Sequence, residues 1–480
     1  MDKNSTKSNA SLIEGQGKTG KYFQIIATFI VSISAFSIGN VIGWTSQISL
    51  QMSQGGMGFV ITQDELSWIG SFTAIGAAFM ALIIGYVCDK IGRKPTKLLL
   101  IIPMATGWGF LAWATNVPML YTGRILTGMS MGAYMVTNPV YINEITQKEI
   151  KGRLGSLTQL FISGGILFDV IVGKFASIKT YTLCCFAVPL IFGTLFVFMP
   201  ETPIYYLKKN REDCAEITLK KLRSRDYDVH AEMDQLKCIL SEERERNLYK
   251  KFKESWQTNR STRLAFVTSL MLMVFRVFSG VDAITAYTSL IISNAIDFDP
   301  SLGTIIVITI QTFIGIFQSI IIDHIGRKML LFISQIIITL ALTAVGLCFL
   351  LKNHNFVIEG GYSILDNLAL VSLCCYSIGF SLGIAPIPLI LNAELNPPET
   401  KSLVSSFNTF LSWVLIFGVT KTFLLLEHAY GIEAAFLLYG GLSFLGVIFV
   451  IFFVPETKGK SHQEIKEVLE KYRFLPLRFR

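Results

Sequence analysis

Gly85-Tyr86-Val87-Cys88-Asp89-Lys90-Ile91-Gly92-Arg93-Lys94 lies between two apolar stretches, and Asp323-His324-Ile325-Gly326-Arg327-Lys328 lies between two others far along the same chain. Each copy puts a carboxylate four residues ahead of an arginine, with a second base directly after it and a glycine that permits a tight turn. Charges in such a turn pair with neighbouring helix ends and stay out of the apolar layer. One copy is weak evidence. Two copies at matching places divide the chain into related halves.

The stretches around these turns are long. The chain has 480 residues, of which 51% are hydrophobic and only 16% charged, and its mean hydropathy is +0.52. That is far more apolar than a soluble chain of this length. Crossing a bilayer as a helix takes roughly 20 residues, and twelve apolar stretches meet that length. Spans 1 to 12 are expected near 22–43, 65–87, 97–115, 117–140, 154–177, 181–199, 264–292, 301–322, 328–350, 366–391, 402–424 and 431–454. The expectation is an all-α membrane protein in contact with a lipid bilayer.

Five segments follow: an N-tail at 1–21, a six-span bundle at 22–200, a polar linker at 201–262, a second six-span bundle at 263–454 and a C-tail at 455–480. In the linker, Val229, Met233, Leu236 and Leu240 recur at near-helical spacing among charges, the pattern of a short amphipathic helix. Basic residues gather on the cytoplasmic side of membrane proteins. With both termini placed there, about 36 of the 42 Lys and Arg fall on that side, and only Lys174, Lys179 and Lys352 on the other. Arg124, Arg276 and Lys421 remain within spans. The net charge of +8 is thus a topology signal and no reason to expect nucleic acid.

No cleavable leader is expected, since the first 21 residues are polar and span 1 is full length. The eight cysteines fall in spans or on the cytoplasmic side, so no disulfide framework is implied. Five scattered histidines, His230, His324, His354, His428 and His462, offer no metal or nucleophile cluster, so neither enzyme chemistry nor a cofactor is expected.

The duplication extends beyond the turn. Glu144 precedes Lys151 by seven residues, as Glu394 precedes Lys401, and Pro200-Glu201-Thr202-Pro203 closes the first half as Pro455-Glu456-Thr457-Lys458 closes the second. Paired six-helix repeats with a site between them are how many secondary transporters are built.

GRILTG at Gly123 to Gly128, PVYINEITQKEIKGRLGSLTQL at Pro139 to Leu160, PETP at Pro200 to Pro203, APIP at Ala385 to Pro388 and PETKGKS at Pro455 to Ser461 together resemble the sugar porter family of the major facilitator superfamily. The resemblance covers nearly the whole chain. VTKTF at Val419 to Phe423 and Trp44-Thr45-Ser46 further resemble its insect facilitated trehalose transporter branch. The resemblance implies the major facilitator fold of two six-helix bundles in the plasma membrane. The activity it implies is facilitated, alternating-access transport of a neutral sugar of trehalose or hexose class by a monomer. It further implies that Asp89, Arg93, Glu144, Lys151 and Glu201 in one half, and Asp323, Arg327, Glu394, Lys401 and Glu456 in the other, form ion pairs between the bundles at a cytoplasmic gate. Arg124 is expected to pair with one of these carboxylates, because an unpaired arginine in a span is costly.

A sugar site needs neutral hydrogen-bonding groups and aromatic faces converging from several helices. By resemblance Gln159 on span 5, Tyr287 on span 7, Gln311 on span 8, and Ser412 with Trp413 on span 11 stand at such positions. The chain departs from the family at Arg276-Val277-Phe278-Ser279-Gly280-Val281-Asp282, where two glutamines and an asparagine are usual. It departs again at Tyr86, Gln311, Ala385, Leu389, Ser412, Lys151 and Lys401. Arg276 and Asp282 would point about 120° apart on an unbroken helix, unless Ser279-Gly280 breaks it. As substrate groups they leave open a carrier for a charged or polar organic solute, and a non-transporting sugar sensor is a further alternative. Asp169 is another acid within a span, whereas span 1 has no carboxylate to carry a coupling proton.

Overall fold

A computed structural model of the chain describes residues 18–53, 58–223, 227–244, 256–257, 259–353, 361–397, 401–458, 460 and 462–471. Residues 1–17, most of the stretch 245–258 and the last residues of the C-tail lie outside the described residues. Spans 1, 2, 4, 5 and 6 are the helices Lys18–Ser53, Gln63–Ile91, Val117–Ile145, Lys148–Phe175 and Ile178–Phe196, and span 3 is Arg93–Leu99 continued by Ile101–Ala112. Spans 8, 9, 11 and 12 are Pro300–Ile325, Arg327–Asn353, Lys401–Tyr430 and Ile432–Phe453. Span 7 is broken into Arg260–Phe278 and Val281–Ala295, and span 10 into Gly361–Gly379 and Ile387–Leu395 around a π-helical turn at Phe380–Ile384. No strand occurs among the described residues.

Eleven of these are long and apolar enough to cross a membrane among the described residues. Span 4, at 29 residues, is long enough but less apolar. Its polar side chains Arg124, Thr127, Ser130, Thr137 and Asn138 are buried in the bundle. Span 1 runs on to Ser53 instead of ending near 43.

Each even-numbered span of the first half starts with a side-chain cap, which satisfies backbone N–H groups that a helix cannot. Thr62 and Glu65 cap one another at span 2, Asn116 accepts from the Met119 N–H at 3.1 Å, and the Ser177 hydroxyl accepts from the Thr180 N–H at 3.3 Å. Spans 1 and 5, and spans 2 and 4, then approach closely over small residues: a Cβ on Gly39 would sit 2.1 Å from the Ile162 carbonyl oxygen, and one on Gly128 2.2 Å from that of Thr73. Small residues give membrane helices close packing, which must replace the hydrophobic drive that lipid removes.

Spans 1–6 pack as one bundle and spans 7–12 as another, and the bundles meet where span 1 faces span 7, span 2 faces span 11 and span 5 faces span 8. The linker helices Pro203–Lys208, Glu212–Leu222 and Val229–Arg244 share a small core of Leu207, Ala215, Leu219, Val229 and Met233. Arg223 ties them to the first bundle by donating to Glu232 at 2.6 Å and to the Ile145 carbonyl at 2.8 Å. A last helix, His462–Lys471, buries Ile465 and Leu469 against the second bundle. This end of the molecule, which carries the linker, is the tail end below. The opposite one is the far end.

Candidate functional site

Toward the far end the bundles are sealed together. Ile162, Ile166 and Val170 of span 5 pack on Ile305 and Ile308 of span 8 and on Ile42 of span 1. Ser46 on span 1 and Ser289 on span 7 are hydrogen-bonded at 3.3 Å, and Ser289 in turn meets Thr304 of span 8 at 3.0 Å. Tyr287 is fully buried, its ring stacked on Phe423 with centroids 5.8 Å apart. Its hydroxyl presses on span 2, where a Cβ on Gly70 would come within 2.3 Å of it. Tyr287 is thus part of the seal in this conformation and not an open wall.

One turn nearer the tail end, two amides flank the same apolar plug. Gln159 lies three residues before Ile162 on span 5, and Gln311 three residues after Ile308 on span 8. The two helices run in opposite directions, so at about 1.5 Å per residue both amides lie roughly 4–5 Å from the plug on its tail side. Gln159 is exposed and Gln311 half-buried, while the plug residues Ile166 and Ile308 are buried. The Ser381 hydroxyl of the π turn in span 10 donates to the Gln311 carbonyl at 3.0 Å. Ser412 spends its hydroxyl on the Asn408 carbonyl of its own helix at 2.8 Å, and Trp413 is only 8% exposed, packed into the core.

Span 7 breaks where the sequence allows. Gly280 has φ 78°, in the left-handed region, and the second segment restarts with the Ile284 N–H donating to its carbonyl at 2.8 Å. The Tyr376 hydroxyl of span 10 takes up the Ser279 carbonyl at 3.0 Å. The break does not bring Arg276 and Asp282 into an ion pair. Nε of Arg276 and Oδ2 of Asp282 are each buried without a hydrogen-bond partner.

The tail end carries the duplicated charges, and the duplication is geometric. Gly92 and Gly326 have φ 109° and 98°. Glu201 accepts from the N–H groups of Lys94 at 3.0 Å and Thr202 at 2.8 Å, and Glu456 from those of Lys328 at 3.0 Å and Thr457 at 2.9 Å. The Lys94 ammonium donates to the Val197 carbonyl at 2.7 Å, and that of Lys328 to the Ile451 carbonyl at 3.0 Å. Arg93 pairs with Glu144 and with Asp89, each at 3.0 Å, and Arg327 approaches Glu394 at 3.5 Å. The twins differ in charge balance. Burial pushes the Glu201 carboxyl up despite its backbone donors. At Glu456 burial acts the same way, but four N–H groups, from Lys458, Arg327, Lys328 and Thr457, hold the carboxyl below its ordinary value.

Among the described residues these contacts depart from the expectation of ion pairs between the bundles: Arg93 pairs with Asp89 and Glu144 of its own bundle, Asp89 also with Lys208 of the linker at 3.3 Å, and Arg327 approaches Glu394 of its own bundle. Asp89 and Arg93 share one helical turn region, and span 4, which carries Glu144, is packed directly on span 2, so the nearest partner is internal. The side chains of Lys151, Asp323 and Lys401 lie outside the described residues. Arg124 is a second correction, since it pairs with no gate carboxylate. It is buried toward the far end and donates to the carbonyls of Ile69 at 3.1 Å and Val41 at 2.9 Å and to the Thr45 hydroxyl at 2.7 Å, with its guanidinium over the Trp44 ring at 5.2 Å. Three helices are joined by that one side chain.

Two buried ionisable groups escape a sequence reading of roles. Lys97, at the first residue of expected span 3, is fully buried: it donates to the Asn138 side-chain oxygen and lies 5.7–5.9 Å from the rings of Tyr134, Tyr141 and Phe196. The signal was its place four residues after Arg93 with no turn residue following, which carries it one helical turn into the apolar layer. Asp169 faces span 1 at Gly43 and accepts from the Cys185 thiol at 3.4 Å, with its second oxygen unpartnered. No described hydrogen bond or ion pair joins it to Arg276 of the other bundle.

Two six-helix bundles with the same turn geometry, sealed together at one end, define a membrane transporter of the major facilitator fold. The chain belongs to the sugar (and other) transporter family, whose model matches residues 19–469. It is 33% identical over 445 residues to the facilitated trehalose transporter Tret1 of Bombyx mori, covering 92% of this chain and 86% of that one. It is 34% identical over 449 residues to Tret1 of Apis mellifera ligustica, covering 92% and 87%. Among solved structures, the partially occluded inward-open form of the xylose transporter XylE from E. coli superposes with a TM-score of 0.74 at 19% identity, over 92% of this chain and 100% of that one. Its inward-open form gives 0.74 at 21% identity, over 92% and 98%.

Proposed function

We propose that this chain is a passive, alternating-access carrier of a neutral sugar of trehalose or hexose class in the plasma membrane, acting as a monomer because both walls of the path come from one chain. The observation that carries the reading is the placement of Gln159 and Gln311 on facing helices, one turn to the tail side of the apolar plug. Neutral amides there bind hydroxyls without fixing a charge, and lipid could not satisfy them. Both tails and the linker are cytoplasmic in this reading, which the basic residues support. The far end is then extracellular and closed, and the site faces the cytoplasm.

The remaining roles follow. Trp413 and Tyr287 supply aromatic faces as the bundles rock, Ser412 a minor polar contact, and Arg276 and Asp282 the polar floor at the break in span 7. The duplicated tail-end charges brace each bundle at the cytoplasmic gate. Uptake in a heterologous cell, screened over trehalose, glucose, other sugars and charged solutes, tests the reading. Gln159→Leu and Gln311→Leu should each raise the KM for the sugar about tenfold at unchanged surface expression, the worth of one hydrogen bond to a substrate. Transport confined to charged solutes would refute it.

A further inference from the structure

We infer that Lys421 and Lys174 form a two-point ionic latch that holds the far ends of the bundles together and must release before substrate enters from that side. Both lysines cross from one bundle to the other. The Lys421 ammonium, on span 11, donates to the Asp64 carboxylate at 2.5 Å and to the Ser67 hydroxyl at 2.7 Å, and lies 4.1 Å from the centre of the Trp68 ring. Asp64, Ser67 and Trp68 occupy positions i, i+3 and i+4 at the start of span 2, so one helical face presents an anion, a hydroxyl and a ring to a single cation. Trp68 also packs on Phe417, one turn before Lys421, with centroids 5.9 Å apart. The lysine is only 13% exposed.

At another corner of the molecule, the Lys174 ammonium of span 5 donates to Asp299 at 3.0 Å. The other oxygen of Asp299 caps span 8, accepting from the N–H groups of Ser301 at 2.9 Å and Leu302 at 3.1 Å. The cap fixes the carboxylate in place for the lysine. The Lys174 hydrogen bond and the Leu302 N–H hold this carboxyl below its ordinary value, so it is charged at neutral pH. Neither pair belongs to the duplicated motif. The motif's described ion pairs join residues of one bundle or, for Asp89, reach Lys208 of the linker, and none of them spans the two bundles, whereas parting the far ends breaks both lysine contacts. The Lys421 ammonium has the more partners of the two, with a hydroxyl and a ring beside its carboxylate, and it is 13% exposed against 21% for Lys174.

The inference rests on the alternating-access reading, and its test reads conformation without substrate. In the full-length transporter in intact cells, Ser289→Cys places a thiol behind the latch, and a membrane-impermeant thiol reagent is added outside, with the unsubstituted chain as background. Lys421→Met should raise the labelling rate of that thiol about 3- to 5-fold and Asp299→Asn about 2-fold, as expected for loss of single cross-bundle ion pairs. Exchanging the charges, Asp64→Lys with Lys421→Asp, should return labelling toward the parent rate, while Trp68→Leu should give an intermediate rise. Should Lys421→Met fail to reach the surface, Asp64→Asn breaks the same pair from its exposed side. Parent-rate labelling in both Asp64→Asn and Asp299→Asn overturns the latch. Raised labelling with no uptake of any sugar would leave the latch standing and remove the sugar reading instead.

Discussion

Arg93 and Arg327 occupy twin positions but are not equally placed. Arg93 is 4% exposed and grips a Glu144 that is itself 10% exposed, while Arg327 is 16% exposed and reaches a 28% exposed Glu394 at 3.5 Å. Removing one partner of a buried pair strands the other charge and costs about 3–5 kcal/mol, whereas a more exposed pair contributes about 0–1 kcal/mol. Arg93→Ala should therefore lower the unfolding temperature of the purified transporter far more than Arg327→Ala, and equal losses would refute this ranking. The twin glutamates make a second contrast. Glu456 is held below its ordinary 4.5, so its stabilising effect is present above that pH and is lost as pH falls through the folded value. Glu201 is pushed above 4.5 by burial, so the parent is favoured at low pH and loses ground as pH rises through the folded value. Relative to the parent, Glu456→Gln should be destabilised at neutral pH with a gap that closes on acidification. Any deficit of Glu201→Gln should instead widen on acidification. Melting curves from about pH 4 to 7 check both slopes, and parallel slopes would contradict the assignment.

At the scale of elements, spans 7 and 10 are each interrupted within the bundle. The break in span 7 depends on Gly280, since φ 78° is costly for any other residue and a Cβ there would lie 2.7 Å from the Tyr439 ring. Gly280→Ala should cost roughly 1–3 kcal/mol from the backbone alone, and adding Tyr439→Ala should restore only the steric part. A thermal shift within error of the parent for the single change would show that the break tolerates a side chain. In span 10, Pro386 and Pro388 cannot donate, and the ladder slips to a π turn in which the Ala385 N–H reaches the Phe380 carbonyl at 3.0 Å. Ser334 of span 9 repairs the slip by donating to the Gly379 carbonyl at 2.6 Å and accepting from the Ile384 N–H at 3.0 Å. The neighbouring Ser381 hydroxyl donates to the Gln311 backbone carbonyl at 3.0 Å, so the irregular turn of span 10 is tied to the backbone of span 8.

For the whole molecule, transport should be passive. Span 1 has no carboxylate for a coupling proton, and uptake should run down its gradient and survive a protonophore. Accumulation against a gradient that the protonophore abolishes would overturn this. Topology is tested separately: a tag near the exposed His230 in the linker should be stained only in permeabilised cells, because basic flanks keep that segment on the cytoplasmic side. Staining of intact cells would invert the molecule, and with it the assignment of the latch to the outer face.

The halves, the spans and the turns between them were legible in the chain itself, because each is set locally: bilayer thickness dictates span length, and a tight turn demands glycine. Gln159 and Gln311 stood out as candidates for a related reason, since a polar side chain in an apolar span has few uses. The partners of the charges were not. Arg124, read as a gate residue, joins spans 1, 2 and 4; Lys97, at the edge of expected span 3, is sealed among aromatic rings; and Lys421 finds Asp64 at a separation of 357 residues. Sequence spacing specifies a neighbour only within a helical turn, whereas a charge facing another helix takes whichever partner the packing of two bundles brings within about 3–4 Å. Which end of the path is shut, and which ion pairs shut it, was decided by that packing alone.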